Sequence, residues 1–298
     1  MNKLEDIRGI YPMLYAFFDE QGGLDRAAMR RQVDACIDAG CHGIAIGGLA
    51  TETNKLTTLE RRTLVEWVSE QIAGRVPLSV TIAENNVGGQ IEAVAVAVDL
   101  GASWVVLQPP PVRGVSEAEL IRFYGAVADA SSVPVGIQNA PEYIGIGVSN
   151  AGFATLHKQH PNVSIIKAEG PATYISALAQ DTGGKFKLLN GRNGMELVDS
   201  LRAGCSGIIP GVEGIDVQVA IFEAFQAGEE ADADRMFAEI LPLLSFLMTS
   251  VDHLLCYGKR LAARRLGLTE PLDRVPAQQP TAFGLDVMAR WSKSLGDL

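Results

Sequence analysis

Asp38-Ala39-Gly40-Cys41-His42-Gly43 closes a helical stretch and opens an apolar run. The chain repeats this junction at Asp99-Leu100-Gly101-Ala102-Ser103-Trp104 and at Arg202-Ala203-Gly204-Cys205-Ser206-Gly207. Each time a glycine stands where a helix ends, because the residue after the last turn favours a left-handed backbone that glycine adopts freely. Upstream of the first junction, Arg26 to Ala39 carries Met29, Val33, Cys36 and Ile37 at helical spacing. Downstream, Gly43 to Ile46 is short and apolar.

Working outward, the same alternation fills most of the chain. Strands are expected at Ile10–Phe18, Gly43–Ile46, Pro77–Ile82, Trp104–Leu107, Val133–Asn139, Val163–Ala168, Phe186–Asn190 and Gly207–Pro210. Helices are expected at 26–39, 58–72, 89–100, 117–130, 150–159, 172–180, 195–203 and 217–227. Thr58 is read as the cap of the second helix, with Arg61 three residues on, so the capping box is only partial. The strand runs are continuously apolar rather than alternating, as strands buried on both faces are. Eight such units point to a closed α/β architecture, a (β/α)8 TIM barrel over residues 1–227. Residues 228–298 read as a C-terminal helical extension packed on the barrel. Its helices are expected at 231–249, 252–266 and 283–294, with Pro271, Pro276 and Pro280 before the last.

Composition agrees with an enzyme-sized globular protein. The 298 residues are 47% hydrophobic and 20% charged, and 25 Lys+Arg against 35 Asp+Glu leave a net charge of −10. An acidic balance disfavours nucleic acid as a partner. No apolar run reaches the ~20 residues that a bilayer requires, and the N-terminal Met-Asn-Lys-Leu-Glu-Asp lacks the apolar core of a signal peptide. Cys36, Cys41, Cys205 and Cys256 form no C-x-x-C pair and read as buried thiols, so a cytoplasmic protein is expected. His42, His157, His160 and His253 join no carboxylate or cysteine cluster, and neither a metal nor another cofactor is expected.

In a barrel, reacting groups come from the C-terminal ends of strands. Strand six reads Val163-Ser164-Ile165-Ile166-Lys167-Ala168-Glu169. A lysine ending a buried apolar strand is rarely there for structure alone, and a desolvated amine is a nucleophile toward carbonyls. Glu169, two residues on, falls on the same face. A structural Lys–Glu pair at the barrel mouth is the plain alternative. Strand five ends in Gln138 and Asn139, amides that orient a substrate or cap a loop. The turn Gly47-Gly48-Leu49-Ala50 offers backbone N–H groups to a carboxylate, or is simply a tight turn. Arg192 and Asn193 follow strand seven, and Ile208-Ile209-Pro210-Gly211 is small enough to leave room for a ligand.

Taken together, these motifs resemble the dihydrodipicolinate synthase / N-acetylneuraminate lyase family over nearly the whole chain. Gly48-Leu49-Ala50-Thr51-Glu52 stands where the family has G-T-T-G-E, Gln138-Asn139-Ala140-Pro141 where it has Y-N-x-P, and Lys167 where it has the lysine that forms a Schiff base with a 2-oxo acid. The departures are as informative. Gln138 replaces the family's tyrosine, Leu49 and Ala50 replace its threonines, Gln108-Pro109-Pro110-Pro111 lacks the tyrosine donated across subunits, and Tyr143 stands where the synthase has an arginine. The pattern is most like the L-2-keto-3-deoxyarabonate dehydratase-type branch.

That resemblance implies a Schiff-base lyase whose partner is a small-molecule 2-oxo acid, assembled as a homotetramer that is a dimer of dimers. In that reading Lys167 attacks the C2 ketone, Glu169 takes the C3 proton, and Gln138 orients substrate or water. Gly48, Leu49 and Ala50 hold the C1 carboxylate, and Asn139, Arg192 and Asn193 also contact substrate, the last two at its distal hydroxyls. A pyruvate-releasing aldolase or hydratase-aldolase shares the imine and breaks the C3–C4 bond instead. A non-catalytic 2-oxo-acid-binding protein is the reading from another class.

Overall fold

Strands buried on both faces must be covered by helices, and the eight apolar runs and their amphipathic partners do so in turn. The computed structural model describes residues 4–112 and 114–298; positions 1–3, part of the N-terminal stretch read above, and 113 lie outside the described residues. The strands are β1 (Gly9–Ile10), β2 (Ile44–Ile46), β3 (Leu78–Ile82), β4 (Trp104–Leu107), β5 (Val135–Asn139), β6 (Val163–Ala168), β7 (Lys187–Asn190) and β8 (Gly207–Ile208). Every residue of β2 to β6 is buried, which is why none shows in–out alternation.

The sheet is wholly parallel, in the order β1-β8-β7-β6-β5-β4-β3-β2. The ring closes just beyond β1, where Met13 bridges Ala45 in parallel register and the Leu14 N–H donates to the Ala45 carbonyl at 2.9 Å. The first strand is therefore shorter than the expected 10–18. Pro12 lacks an N–H, and the chain there passes from pairing with β8 to pairing with β2. The junction glycines Gly40, Gly101 and Gly204 take φ of +82°, +95° and +98°, as expected of residues that end a helix.

The helices in chain order are α1 (Arg26–Asp38), α2 (Thr58–Ile72), α3 (Val87–Asp99), α4 (Glu117–Asp129), α5 (Pro141–Ile144), α6 (Asn150–Gln159), α7 (Ala172–Asp181), α8 (Leu197–Arg202) and α9 (Ile215–Gln226). The one-turn α5 was not anticipated; Pro141 starts it at the position a helix tolerates best. The cap of α2 is also shifted by one residue from expectation. Thr57 holds the Glu60 N–H and Glu60 reaches back to the Thr57 N–H at 2.9 Å, a complete capping box.

Beyond the barrel lie α10 (Glu230–Leu247), α11 (Val251–His253), α12 (Lys259–Arg265) and α13 (Ala282–Trp291). The expected single helix at 252–266 is interrupted by a π-helical turn over Leu254–Gly258, with Gly258 against the Tyr15 hydroxyl. Buried charges fasten this extension to the barrel. Lys259, fully buried, reaches Glu52 at 2.8 Å, and Lys55 holds the other Glu52 oxygen at 2.8 Å. Arg265 pairs with Asp216 at 2.8 Å and donates to the Glu213 carbonyl. Among the described residues no single helix is long and apolar enough to cross a membrane.

Replacing Thr57 by Ala is expected to cost about 1 kcal/mol of stability. Thr58→Ala, at the position first read as the cap, is expected to stay within about 0.5 kcal/mol. Urea unfolding of the two variants decides between the caps.

Candidate active site

Lys167 is the next-to-last residue of β6, and register sets Gln138 of β5 beside it. The barrel wall buries both side chains: Lys167 is 4% exposed and Glu169 5%. Nζ lies 2.8 Å from Glu169 Oε1. The same oxygen accepts from Gln138 Nε2 at 3.0 Å, and the Gln138 oxygen is buried without a partner among the described residues. Gly191 makes room for this arrangement, since a Cβ there would stand 2.7 Å from Glu169 Cγ.

Lys167 and Glu169 line a cleft of about 40 Å³ at the C-terminal end of the barrel. Leu49 and Ala50 form its wall on the β2 side, Arg192 and Asn193 on the β7 side, and Ile209, Pro210 and Gly211 follow β8. Met248, Val251 and Leu254 of the C-terminal extension complete the lining. A larger hollow of about 600 Å³ lies between α2 and α3 over the outside of β3. It is the buried amine, not volume, that marks the smaller cleft.

The turn after β2 is held from beneath. Thr51 Oγ1 accepts from the Gly47 N–H at 3.0 Å and donates to the Leu14 carbonyl at 2.7 Å, while Glu52, at φ +57°, is clamped by its two lysines. The Gly48 N–H is directed at Met13 Sδ, 3.3 Å away, so it is not turned to the cleft as expected. The amides of Leu49 and Ala50 have no acceptor among the described residues.

Two of the expected contact residues are committed elsewhere. Asn139 does not line the cleft. Its Nδ2 donates to the Val148 carbonyl and the Tyr174 hydroxyl, and its Oδ1 accepts from the Val148 N–H. Asn193 lines the cleft, but its side chain turns into the core. There Nδ2 donates to Glu213 Oε1 at 2.6 Å and Oδ1 accepts from the Gly211 N–H at 2.7 Å. Gln138 likewise lies behind Glu169, and its recorded contact is with that carboxylate.

Other groups at the site were not foreseen. Glu213 is 1% exposed and takes a second hydrogen bond from the Tyr15 hydroxyl at 2.7 Å. Burial pushes its carboxyl above the ordinary range, against the pull of Tyr15 and Asn193. Tyr143, one turn past β5, is half-buried; burial raises its phenol, with the Arg192 charge opposing and Glu169 adding to the rise. Tyr15 and Glu213 are 198 residues apart, a pairing that no local pattern announces. Among the described residues no group of three His, Cys, Asp or Glu is placed to hold a metal ion.

Comparison with known proteins gives a consistent neighbourhood. The model of the Dihydrodipicolinate synthetase family matches residues 6–279. An L-2-keto-3-deoxyarabonate dehydratase from Azospirillum brasilense is 32% identical over 244 residues, 80% of this chain and 79% of that one. A 4-hydroxy-tetrahydrodipicolinate synthase from Exiguobacterium sibiricum is 28% identical over 271 residues, 90% of each chain. Among solved structures, a prophage protein of the dihydrodipicolinic acid synthase family from E. coli K12, in complex with pyruvate, superposes with a TM-score of 0.88 at 24% identity, covering 97% of this chain and 98% of that one.

Because the Glu213 carboxyl is raised, its contribution to stability is full below the ordinary carboxylate range, near pH 4, and is lost as pH rises through its elevated value. The stability of the natural chain relative to Glu213→Gln is therefore expected to fall as pH rises above the ordinary carboxylate range. Denaturant unfolding of both proteins from that range upward checks it, and a constant difference contradicts it.

Proposed function

The chain belongs to the Dihydrodipicolinate synthetase family, and on that premise we propose that it dehydrates a 2-keto-3-deoxy sugar acid through a Schiff base at Lys167. It is an enzyme of the class I lyase type. The single observation that carries the finer reading is the buried Lys167 amine 2.8 Å from Glu169, with Gln138 rather than a phenol beside them.

The chemistry follows from that geometry. Lys167 Nζ attacks the C2 ketone and water leaves, giving a protonated imine. The imine draws electrons from C3, and Glu169, next to Nζ, takes the C3 proton. The enamine then expels the C4 hydroxyl, and the proton held by Glu169 leaves with it as water. Hydrolysis of the imine returns Lys167 and releases a dehydrated keto acid. Gln138 fixes the Glu169 oxygen that faces the amine. The free amides of Leu49 and Ala50 take the C1 carboxylate. The relative named an L-2-keto-3-deoxyarabonate dehydratase supports this branch. The absence of a tyrosine at Gln138, and of an arginine at Tyr143, weighs against the synthase outcome.

For assembly and compartment, the proposal follows the resemblance: a homotetramer acting in the cytoplasm, whose mass native mass spectrometry measures.

Borohydride reduction in the presence of a 2-keto-3-deoxy acid is expected to fix the substrate's mass on the peptide holding Lys167, and Lys167→Ala is expected to abolish the adduct. Glu169→Gln is expected to keep the adduct and lose about 10²–10⁴-fold in turnover. Release of pyruvate would assign the aldolase outcome instead, and an adduct undiminished in Lys167→Ala would remove the mechanism.

A further inference from the structure

The charged side chains of the cleft come from two adjacent strand ends. Lys167 and Glu169 stand at the end of β6, and Arg192 follows β7. Asn193, whose backbone like that of Arg192 is left-handed, turns its amide into the core. The rest of the lining is of another kind. Met13 follows β1, Ile209 and Pro210 follow β8, and Met248, Val251 and Leu254 belong to the C-terminal extension. None of these six side chains carries an N–H or O–H.

The backbone along this wall has its donors committed as well. The Ile209 N–H goes to the Asn190 carbonyl at 2.7 Å, Pro210 has none, and the Gly211 N–H goes to Asn193 Oδ1 at 2.7 Å. The Met13 N–H donates to the Pro210 carbonyl at 2.7 Å, and those of Met248 and Leu254 to the carbonyls of Leu244 and Ser250.

The extension is shaped to bring its apolar residues to the cleft. α10 and the helical segment Val251–Arg265 meet at 103°. Ser250 caps the second by accepting from the His253 N–H at 3.0 Å. Val251 and Leu254, three residues apart, then share one face. The π-helical turn begins at Leu254, and such turns recur at functional sites. Gly258 ends it and leaves Leu254 its place, since a Cβ there would stand 2.8 Å from Leu254 Cδ1 and 2.7 Å from the Tyr15 hydroxyl.

A hydroxyl set against such a wall gives up its bonds to water, and its oxygen finds no donor in their place. A methyl group in the same position leaves water at a gain. We propose that Ile209, Pro210, Val251 and Leu254 form an apolar wall that selects a 2-keto-3-deoxy acid ending in a methyl group over one ending in a hydroxymethyl group. These are specificity residues and take no part in the proton transfers. The inference rests on the function proposed above and narrows its substrate class.

The test compares kcat/KM for 2-keto-3-deoxypentonates and 2-keto-3-deoxyhexonates with that for the counterparts lacking the terminal hydroxyl, in each configuration at the inner carbons. The methyl-ended acids are expected to be preferred by about tenfold or more. Val251→Thr puts a hydroxyl on the wall at nearly constant volume. It is expected to narrow the preference by at least about threefold, through KM. Leu254→Ala is expected to lower kcat/KM for the methyl-ended acid more than it lowers borohydride trapping of pyruvate, which has no chain beyond C3. Equal kcat/KM for the two kinds of acid, or a preference untouched by Val251→Thr, would overturn the wall and leave the Schiff base standing. Pyruvate trapped at Lys167 with no acid dehydrated would overturn the dehydratase reading and the wall with it.

Discussion

A lysine amine held out of water, 2.8 Å from a carboxylate that is equally buried, is the constraint around which the rest of the molecule is arranged. Such a pair is weak evidence of stabilisation, since desolvating both charges offsets much of their attraction. Removing one partner, however, leaves the other charge uncompensated, at about 3–5 kcal/mol. A protein that keeps this pair inside its barrel spends stability on it, and the cleft that opens at the pair gives the reason. The neighbouring strand supplies Gln138 to the same carboxylate oxygen, and a glycine after β7 leaves the space in which that carboxylate sits.

The same device is repeated in the surroundings. Glu52 is shared by Lys55 and Lys259, and thereby ties the turn after β2 to the C-terminal extension. Arg265 ties that extension to Asp216 and to the Glu213 backbone. Glu213 in turn grips Asn193 and so the left-handed turn after β7. The turns after β2 and β7 are therefore each held by a buried polar contact with another element. The extension is part of the site as well as of the scaffold, since Met248, Val251 and Leu254 line the cleft.

The architecture was readable in the sequence because two-sided burial leaves a plain mark: apolar runs without alternation, separated by amphipathic helices and ended by glycine. The burial of Lys167 beside Glu169 was readable for the same reason, as the apolar run carries both side chains inside on one face. The commitments of Asn139, Asn193 and Gln138 were not readable. Whether an amide faces a ligand or a neighbour depends on partners such as Val148, Tyr174 and Glu213, which the fold brings together from elsewhere. The shifted cap at Thr57 shows the local version of this limit. Two adjacent threonines offer the same chemistry, and backbone geometry selects the one whose hydroxyl meets the N–H of Glu60.

The claim on which this account stands is that the buried amine condenses with a ketone. Protein grown with lysine carrying nitrogen-15 in its side chain, mixed with a 2-oxo acid labelled with carbon-13 at C2, tests it directly by carbon-13 spectroscopy. The account predicts a ketimine carbon split by one-bond coupling to lysine nitrogen. Keto and hydrate signals alone, at saturating acid, would contradict it.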